Sequence, residues 1–261
     1  MTRRKISLYQ VDAFTDRVFA GNPAAVCPLD EWLPEHTMQS IAGENNLSET
    51  AFFVPCSDGF ELRWFTPVTE VDLCGHATLA AGYVVCCFLR RDISRVRFHT
   101  KSGTLDVHRE DELIVLDLPS RPAKACEMPN GILEALGNMP EAAPEANAYL
   151  FVFPSETQIA NLRPDFPRLA ALPKGVIVTA PGITADFVSR YFAPSRGVPE
   201  DPVTGSAHCT LVPYWSQRLG KNKLTARQIS RRGGDLFCED RGSRVQLAGH
   251  AALYLEGTIC T

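Results

Sequence analysis

Arg63-Trp64-Phe65-Thr66-Pro67, followed by a short acidic run and Asp72-Leu73-Cys74-Gly75-His76-Ala77, has a second copy in the same chain. Arg190-Tyr191-Phe192-Ala193-Pro194 leads through Glu200-Asp201 to Thr204-Gly205-Ser206-Ala207. The two arginines lie 127 positions apart, and Gly75 and Gly205 lie 130 apart. A third landmark keeps the interval: Ser102-Gly103-Thr104-Leu105 matches Gly233-Gly234-Asp235-Leu236 at an offset of 131. One shared pentapeptide carries little weight. Three landmarks at nearly one spacing indicate two copies of one unit, each offering a glycine-centred polar turn as a candidate site.

Working outward, 261 residues fit one large or two ordinary domains, and the repeat favours two. With 45% apolar and 21% charged residues, each half can bury a core. The formal charge of −4 leaves no basic footprint for nucleic acid. The basic Arg3-Arg4-Lys5 is followed by a strand pattern rather than an apolar h-region, so no signal peptide is expected. The most apolar run, 77–89, is too short to span a bilayer and suits a buried helix. Nine scattered cysteines without C-x-x-C or paired Cys/His spacing read as reduced cytoplasmic thiols, not a structural metal site.

Strands are expected over 6–11, 49–54 and 60–65, with a turn through Gly21-Asn22-Pro23 between the first two. Pro34 opens a helix carrying Met38, Ile41 and Ala42, closed by Gly43, Asn45 and Asn46. From Gly75 to about Arg90 the chain is helical and apolar on nearly every face, which belongs inside a lobe. Three short strands follow, near 95–100, 104–109 and 113–118. Prolines punctuate 119–146, where a domain junction and a surface loop (140–146) are placed. The expected lobes are therefore 1–118 and 119–261, with the last strand free to return to the first lobe. The second lobe repeats the grammar, with strands near 149–153, 176–179 and 186–191. Its helix contains Pro213, which is expected to kink or restart it. Short mixed strands around one buried helix per lobe indicate an α+β class, and neither G-x-G-x-x-G nor a Walker A motif is present.

Each turn puts small residues where an apolar helix begins. A helix N-terminus has unpaired N–H groups and about half a positive charge, so it binds a carboxylate without a basic side chain. Two such ends let an acidic protein hold a small anionic substrate between its lobes. The alternative is that Asp72 and Asp201 merely cap their helices. Two related turns that also present His76 and Ser206 favour a site. Cys74 sits where a thiol gains reactivity, but a two-thiol racemase needs a partner, and the repeat puts Thr204 there. Glu49, a carboxylate entering an apolar strand, is either a solvent-facing strand end or a buried acid-base group with a raised pKa. His208 fits a core histidine or a cleft residue equally. No G-x-S-x-G elbow surrounds Ser206.

At these residues the chain resembles the phenazine-biosynthesis PhzF-like family of the diaminopimelate-epimerase fold. The matching pieces are Tyr9-Gln10-Val11-Asp12-Ala13-Phe14, Gly21-Asn22-Pro23, Asn46-Leu47-Ser48-Glu49-Thr50, Asp72-Leu73-Cys74-Gly75-His76-Ala77-Thr78 and Glu200-Asp201-Pro202-Val203-Thr204-Gly205-Ser206-Ala207-His208. Gln228-Ile229-Ser230-Arg231-Arg232-Gly233-Gly234 and Val245-Gln246-Leu247-Ala248-Gly249 are similar too. The resemblance implies two pseudo-symmetric diaminopimelate-epimerase-like lobes, each a small barrel-like mixed sheet around a central helix. It also implies an isomerase acting without a cofactor, commonly as a homodimer. It assigns proton transfer to Glu49, substrate contact to His76, Asp201 and Ser206, and, with the helix argument, carboxylate binding to the N–H groups at Gly75 and Gly205. A missing second thiol departs from diaminopimelate epimerase and proline racemase but agrees with the PhzF branch. The expected enzyme is thus a cytoplasmic, metal-free isomerase of a small carboxylated molecule, with a thiol racemase and a non-catalytic ligand-binding protein as alternatives.

Overall fold

The computed structural model describes residues 4–142 and 144–261. Arg3 of the basic N-terminal triplet and Ala143 of the 140–146 segment lie outside the described residues. The chain divides into two compact units, Met1–Asp117 with Ala248–Thr261, and Leu118–Leu247.

In the first unit, β1 (Lys5–Ala13), β2 (Asn22–Pro28), α1 (Glu35–Asn45), β3 (Glu49–Cys56) and β4 (Gly59–Phe65) come first. Then follow β5 (Glu70–Val71), α2 (Gly75–Val84) with a π-turn at Val85–Leu89, β6 (Arg95–Thr100), β7 (Gly103–Glu110) and β8 (Leu113–Pro119). β2 and β3 pair in parallel, β3 and β4 antiparallel, β4 and β6 in parallel, β6 and β7 antiparallel. Each parallel pair needs a crossover, and α1 and α2 supply the two. β1 lies between β2 and the chain's last strand, Ala251–Cys260, both antiparallel to it.

The second unit opens with β9 (Lys124–Ala125), α3 (Ile132–Leu136), β10 (Pro144–Glu145) and β11 (Ala148–Val152). Next come α4 (Glu156–Asn161), α5 (Phe166–Ala170), β12 (Gly175–Pro181), β13 (Phe187–Ala193) and β14 (Val198–Asp201). α6 (Gly205–Leu219), β15 (Lys223–Gln228), β16 (Gly234–Asp240), β17 (Arg244–Gly249) and β18 (Ala251–Cys260) complete the chain. The pairing repeats the first unit: β11 with β12 parallel, β12 with β13 antiparallel, β13 with β15 parallel, β15 with β16 antiparallel. α6 bridges the second parallel pair as α2 does in the first unit.

The repeated arginines explain why both copies kept the landmark. Arg63 forms a two-pronged ion pair with Glu70, at 2.7 and 2.8 Å, and stacks over Phe65. Arg190 does the same with Glu200, at 2.7 and 3.0 Å, and stacks over Phe192. In each unit this fork fastens the strand before the turn to the strand leading into the buried helix. A paired guanidinium keeps its charge and its planar fork at partly buried sites where a lone one would be costly.

α2 is buried along nearly its whole length, from Gly75 to Val84, as its all-round apolar pattern predicts. Gly82 lets it approach β7, since an added Cβ would stand 2.5 Å from Val107 Cγ1. α6 buries Trp215, whose indole N–H donates to Thr179 Oγ1 and whose ring stacks on Phe187.

Three expectations need correction. Pro213 does not restart its helix: α6 runs unbroken from Gly205 to Leu219. The proline removes the N–H that would serve the Cys209 carbonyl, and the backbone N–H of Arg121 donates to that carbonyl instead, at 2.9 Å. The proline-rich 119–146 stretch holds more than the junction and the 140–146 loop, because α3 buries Ile132, Ala135 and Leu136 in the second unit's core. Finally, Asn22 and Pro23 begin β2 rather than closing a turn. Among the described residues no helix is long and apolar enough to cross a membrane.

Candidate active site

β2 and β3 run parallel with Ala24 opposite Glu49, so Asn22 and Glu49 lie at the same end of the ladder. α2 packs against β2 and places its second residue, His76, there too. The Glu49 carboxylate Oε2 is 3.2 Å from His76 Nε2, close in distance but without hydrogen-bond alignment. On the other side of the ring, Asn22 Nδ2 is 3.2 Å and Cys74 Sγ 3.5 Å from Nδ1. Asn22 is fully buried and His76 nearly so, while the Glu49 side chain keeps 18% of its surface exposed. Burial pushes the His76 pKa down from 6.5 to about 3, so the imidazole is neutral near neutral pH. The Glu49–His76 contact is therefore between a carboxyl group and a neutral ring, not an ion pair.

Cys74 is the N-cap of α2, and its side chain makes no cap hydrogen bond. Asp72 instead offers its backbone carbonyl to the Ser102 hydroxyl, which ties the turn to the 101–102 corner. An uncapped N-terminus keeps its N–H groups and positive end for a bound anion.

In the second unit Thr204 occupies the matching N-cap of α6, again without a side-chain cap, and Gly205 and Ser206 open the helix. The Thr204 hydroxyl donates to Asp201 Oδ2. Gln228, fully buried, clasps the turn from β15: its Oε1 accepts the Thr204 N–H at 2.9 Å and its Nε2 donates to the Asp201 carbonyl at 2.7 Å. Ser230 adds a bond to the Pro202 carbonyl. His208 resolves as a core residue, fully buried, with Nδ1 2.8 Å from the Thr204 carbonyl and burial taking its pKa down to about 4. Cys209 is buried one turn into α6 against the Gly205 carbonyl, its pKa pushed up to about 12. It is no thiolate in water.

The structure thus brings Glu49, His76 and Gly75 together in the first unit and Asp201, Gly205 and Ser206 in the second. Sequence reading named Asn22 only as part of a turn and Gln228 only as part of a motif. Both are buried polar residues at strand ends, and Gly21-Asn22-Pro23 was the one local signal for the first. Glu49, Cys74 and His76 are also metal-ligand types within 4.8 Å of one another. The carboxylate and the thiol approach opposite ring nitrogens, however, which suits a hydrogen-bonded chain better than ligands converging on one ion. A second such trio, Cys56, Asp58 and His99, sits at an exposed hairpin, where the carboxylate already bonds His99 at 2.8 Å and lies 3.6 Å from Arg97.

A family model described as phenazine biosynthesis-like protein matches residues 11–257. A protein named an uncharacterized isomerase in Pseudomonas aeruginosa is 52% identical over 98% of this chain and 99% of its own length. The crystal structure of a phenazine biosynthesis PhzF-family protein from Enterococcus faecalis superposes with a TM-score of 0.95, at 45% identity over 98% of this chain and 99% of that one. A hydroxyproline epimerase from Agrobacterium vitis shares the fold at a TM-score of 0.63 and 10% identity, covering 99% of this chain and 94% of its own.

Proposed function

The chain belongs to the phenazine biosynthesis-like protein family and is an isomerase, and we propose that it moves a proton on a small carboxylated substrate with Glu49 as the acid-base group. The observation that carries this reading is the Glu49–His76 contact at the uncapped start of a buried helix. A carboxylate whose oxygen is enclosed while its side chain keeps some exposure can both reach a substrate and hold a proton away from water. Neutral His76 steadies the carboxylate and positions substrate. The N–H groups at Gly75 bind the substrate's carboxylate through the helix dipole.

The second unit's turn is proposed to bind substrate as well, through the N–H groups at Gly205 and Ser206, the Ser206 hydroxyl and Asp201. Gln228 holds that turn in shape. The reading needs no metal or cofactor, and it places the protein in the cytoplasm as a homodimer. Nine scattered cysteines without C-x-x-C spacing fit a reducing compartment.

A thiol-based racemase is favoured by one observation, the Cys74 Sγ to His76 Nδ1 contact at 3.5 Å, since an imidazole can activate a thiol. Thr204 at the matching N-cap counts against it, because two-base racemisation needs a second group of comparable acidity.

The test is a deuterium-exchange screen. Wild type, Glu49→Gln and Cys74→Ser are incubated in deuterated water with a panel of small cyclic and amino carboxylic acids, and the compounds are weighed by mass spectrometry. The proposal predicts incorporation with wild type and Cys74→Ser and none with Glu49→Gln. Incorporation that survives in Glu49→Gln but disappears in Cys74→Ser selects the racemase instead.

A further inference from the structure

We propose that Asn22 fixes His76 as the neutral tautomer carrying its proton on Nε2, facing Glu49, which makes Asn22 a positioning residue of the site. The inference deepens the proposed function and rests on it for the role of Glu49 as a base.

A neutral imidazole has one N–H and one bare nitrogen, and its neighbours decide which is which. Asn22 Nδ2 stands 3.2 Å from Nδ1, and an amide nitrogen only donates, so it needs the lone pair there. Cys74 Sγ, 3.5 Å from the same atom, is a second donor when the thiol is protonated. With two donors on Nδ1, the single ring proton belongs on Nε2, whose neighbour is Glu49 Oε2 at 3.2 Å. Turning the Asn22 amide over would put its oxygen on Nδ1 and move the ring proton to that side. Nε2 would then set a bare lone pair against a carboxylate oxygen, inside a buried pocket where such repulsion is poorly screened. A base that must be ionised at rest favours the first arrangement.

His208 shows the opposite choice. Its Nδ1 is 2.8 Å from the Thr204 carbonyl, which can only accept, so the proton sits on Nδ1. The two buried histidines at the two helix starts therefore carry opposite tautomers. The consequence for His76 is definite: its Nε2–H faces the carboxylate at 3.2 Å, and the ring does not itself take the substrate's proton. Asn22 is fully buried at the first residue of β2, so its amide is held by the sheet rather than by a mobile loop.

The experiment is a long-range proton–nitrogen correlation spectrum of the full chain with nitrogen-15 in its histidines, at neutral pH. The His76 signals are identified by their loss in His76→Asn, and those of His208 by their loss in His208→Gln. The expected result is a proton on Nε2 for His76 and on Nδ1 for His208. In Asn22→Asp the partner becomes an acceptor, and His76 Nδ1 becomes protonated while the His208 pattern stays, which also reports that the variant is folded. Wild-type protein with the His76 proton on Nδ1 overturns the inference, as does a folded Asn22→Asp whose His76 stays protonated on Nε2 alone. The wild-type spectrum decides the matter even if Asn22→Asp does not fold. If Glu49→Gln retains proton exchange while His76 shows Nε2–H, the reading of Glu49 fails and the tautomer assignment stands, so the two are separable.

Discussion

Acid should unfold this protein through two buried histidines before its carboxylates matter. His76 and His208 have folded pKa values of about 3 and about 4 against the ordinary 6.5, both from burial. Between those values the unfolded chain binds a proton at each site that the folded chain refuses. Stability from this source is complete above pH 6.5 and falls as the pH drops below it. Each fully charged difference is worth about 1.4 kcal/mol per pH unit, so from pH 6 to pH 5 the pair removes about 2.5 kcal/mol. Glu70, held down to about 2 chiefly by its bonds to Arg63, belongs to a lower window: its contribution is lost only as the pH falls through and below its ordinary 4.5. The assay is urea unfolding followed by circular dichroism at pH 7, 6 and 5, with wild type, His76→Asn, His208→Gln and the double variant. Each single variant should halve the slope of stability against pH, and the double should nearly flatten it, whatever the baseline loss from the substitution. A wild type flat between pH 6 and 5, or a double variant with the wild-type slope, refutes the reasoning.

Other expectations follow from single contacts. Gly82→Val should cost about 1–3 kcal/mol in thermal unfolding, because the new Cβ would stand 2.5 Å from the buried Val107 side chain. Arg190→Met should cost more than Arg63→Met, about 2–3 against about 1–2 kcal/mol by chemical denaturation. Arg190 is the less exposed of the two, 12% against 22%, and it also donates to the Ile159 and Leu162 carbonyls at the end of α4. Gln228→Leu should raise KM more than it lowers kcat, since the clasp shapes the second turn without touching Glu49.

Much of the architecture was legible because it was written twice. Arg63 and Arg190, with their glutamates and their phenylalanines, mark equivalent strands, and the small residues after them mark the start of each buried helix. α2 announced itself by being apolar on every side. The features that escaped reading depend on partners distant in sequence. Pro213 sits inside a continuous helix because Arg121, ninety-two positions earlier, takes up the carbonyl it abandons. α3, α4 and α5 are too short to show a helical period. Their only local signals are the caps Ser155 of α4 and Asp165 of α5. Glu49 could be singled out by its apolar flank, yet its approach to His76 is made by a parallel crossover and by a helix laid across it, which no local pattern encodes. His208 fitted a core or a cleft residue equally in sequence, and its burial and its bond to the Thr204 carbonyl make it a core histidine.

The most direct test of the central claim compares steady-state turnover of wild type and Glu49→Gln on the first substrate that the exchange screen identifies. Glutamine keeps the shape and removes the acid-base function. The account predicts a fall in kcat of at least about 100-fold with KM little changed, in the range expected for loss of a general acid-base group. A Glu49→Gln enzyme that turns over at the wild-type rate would contradict it.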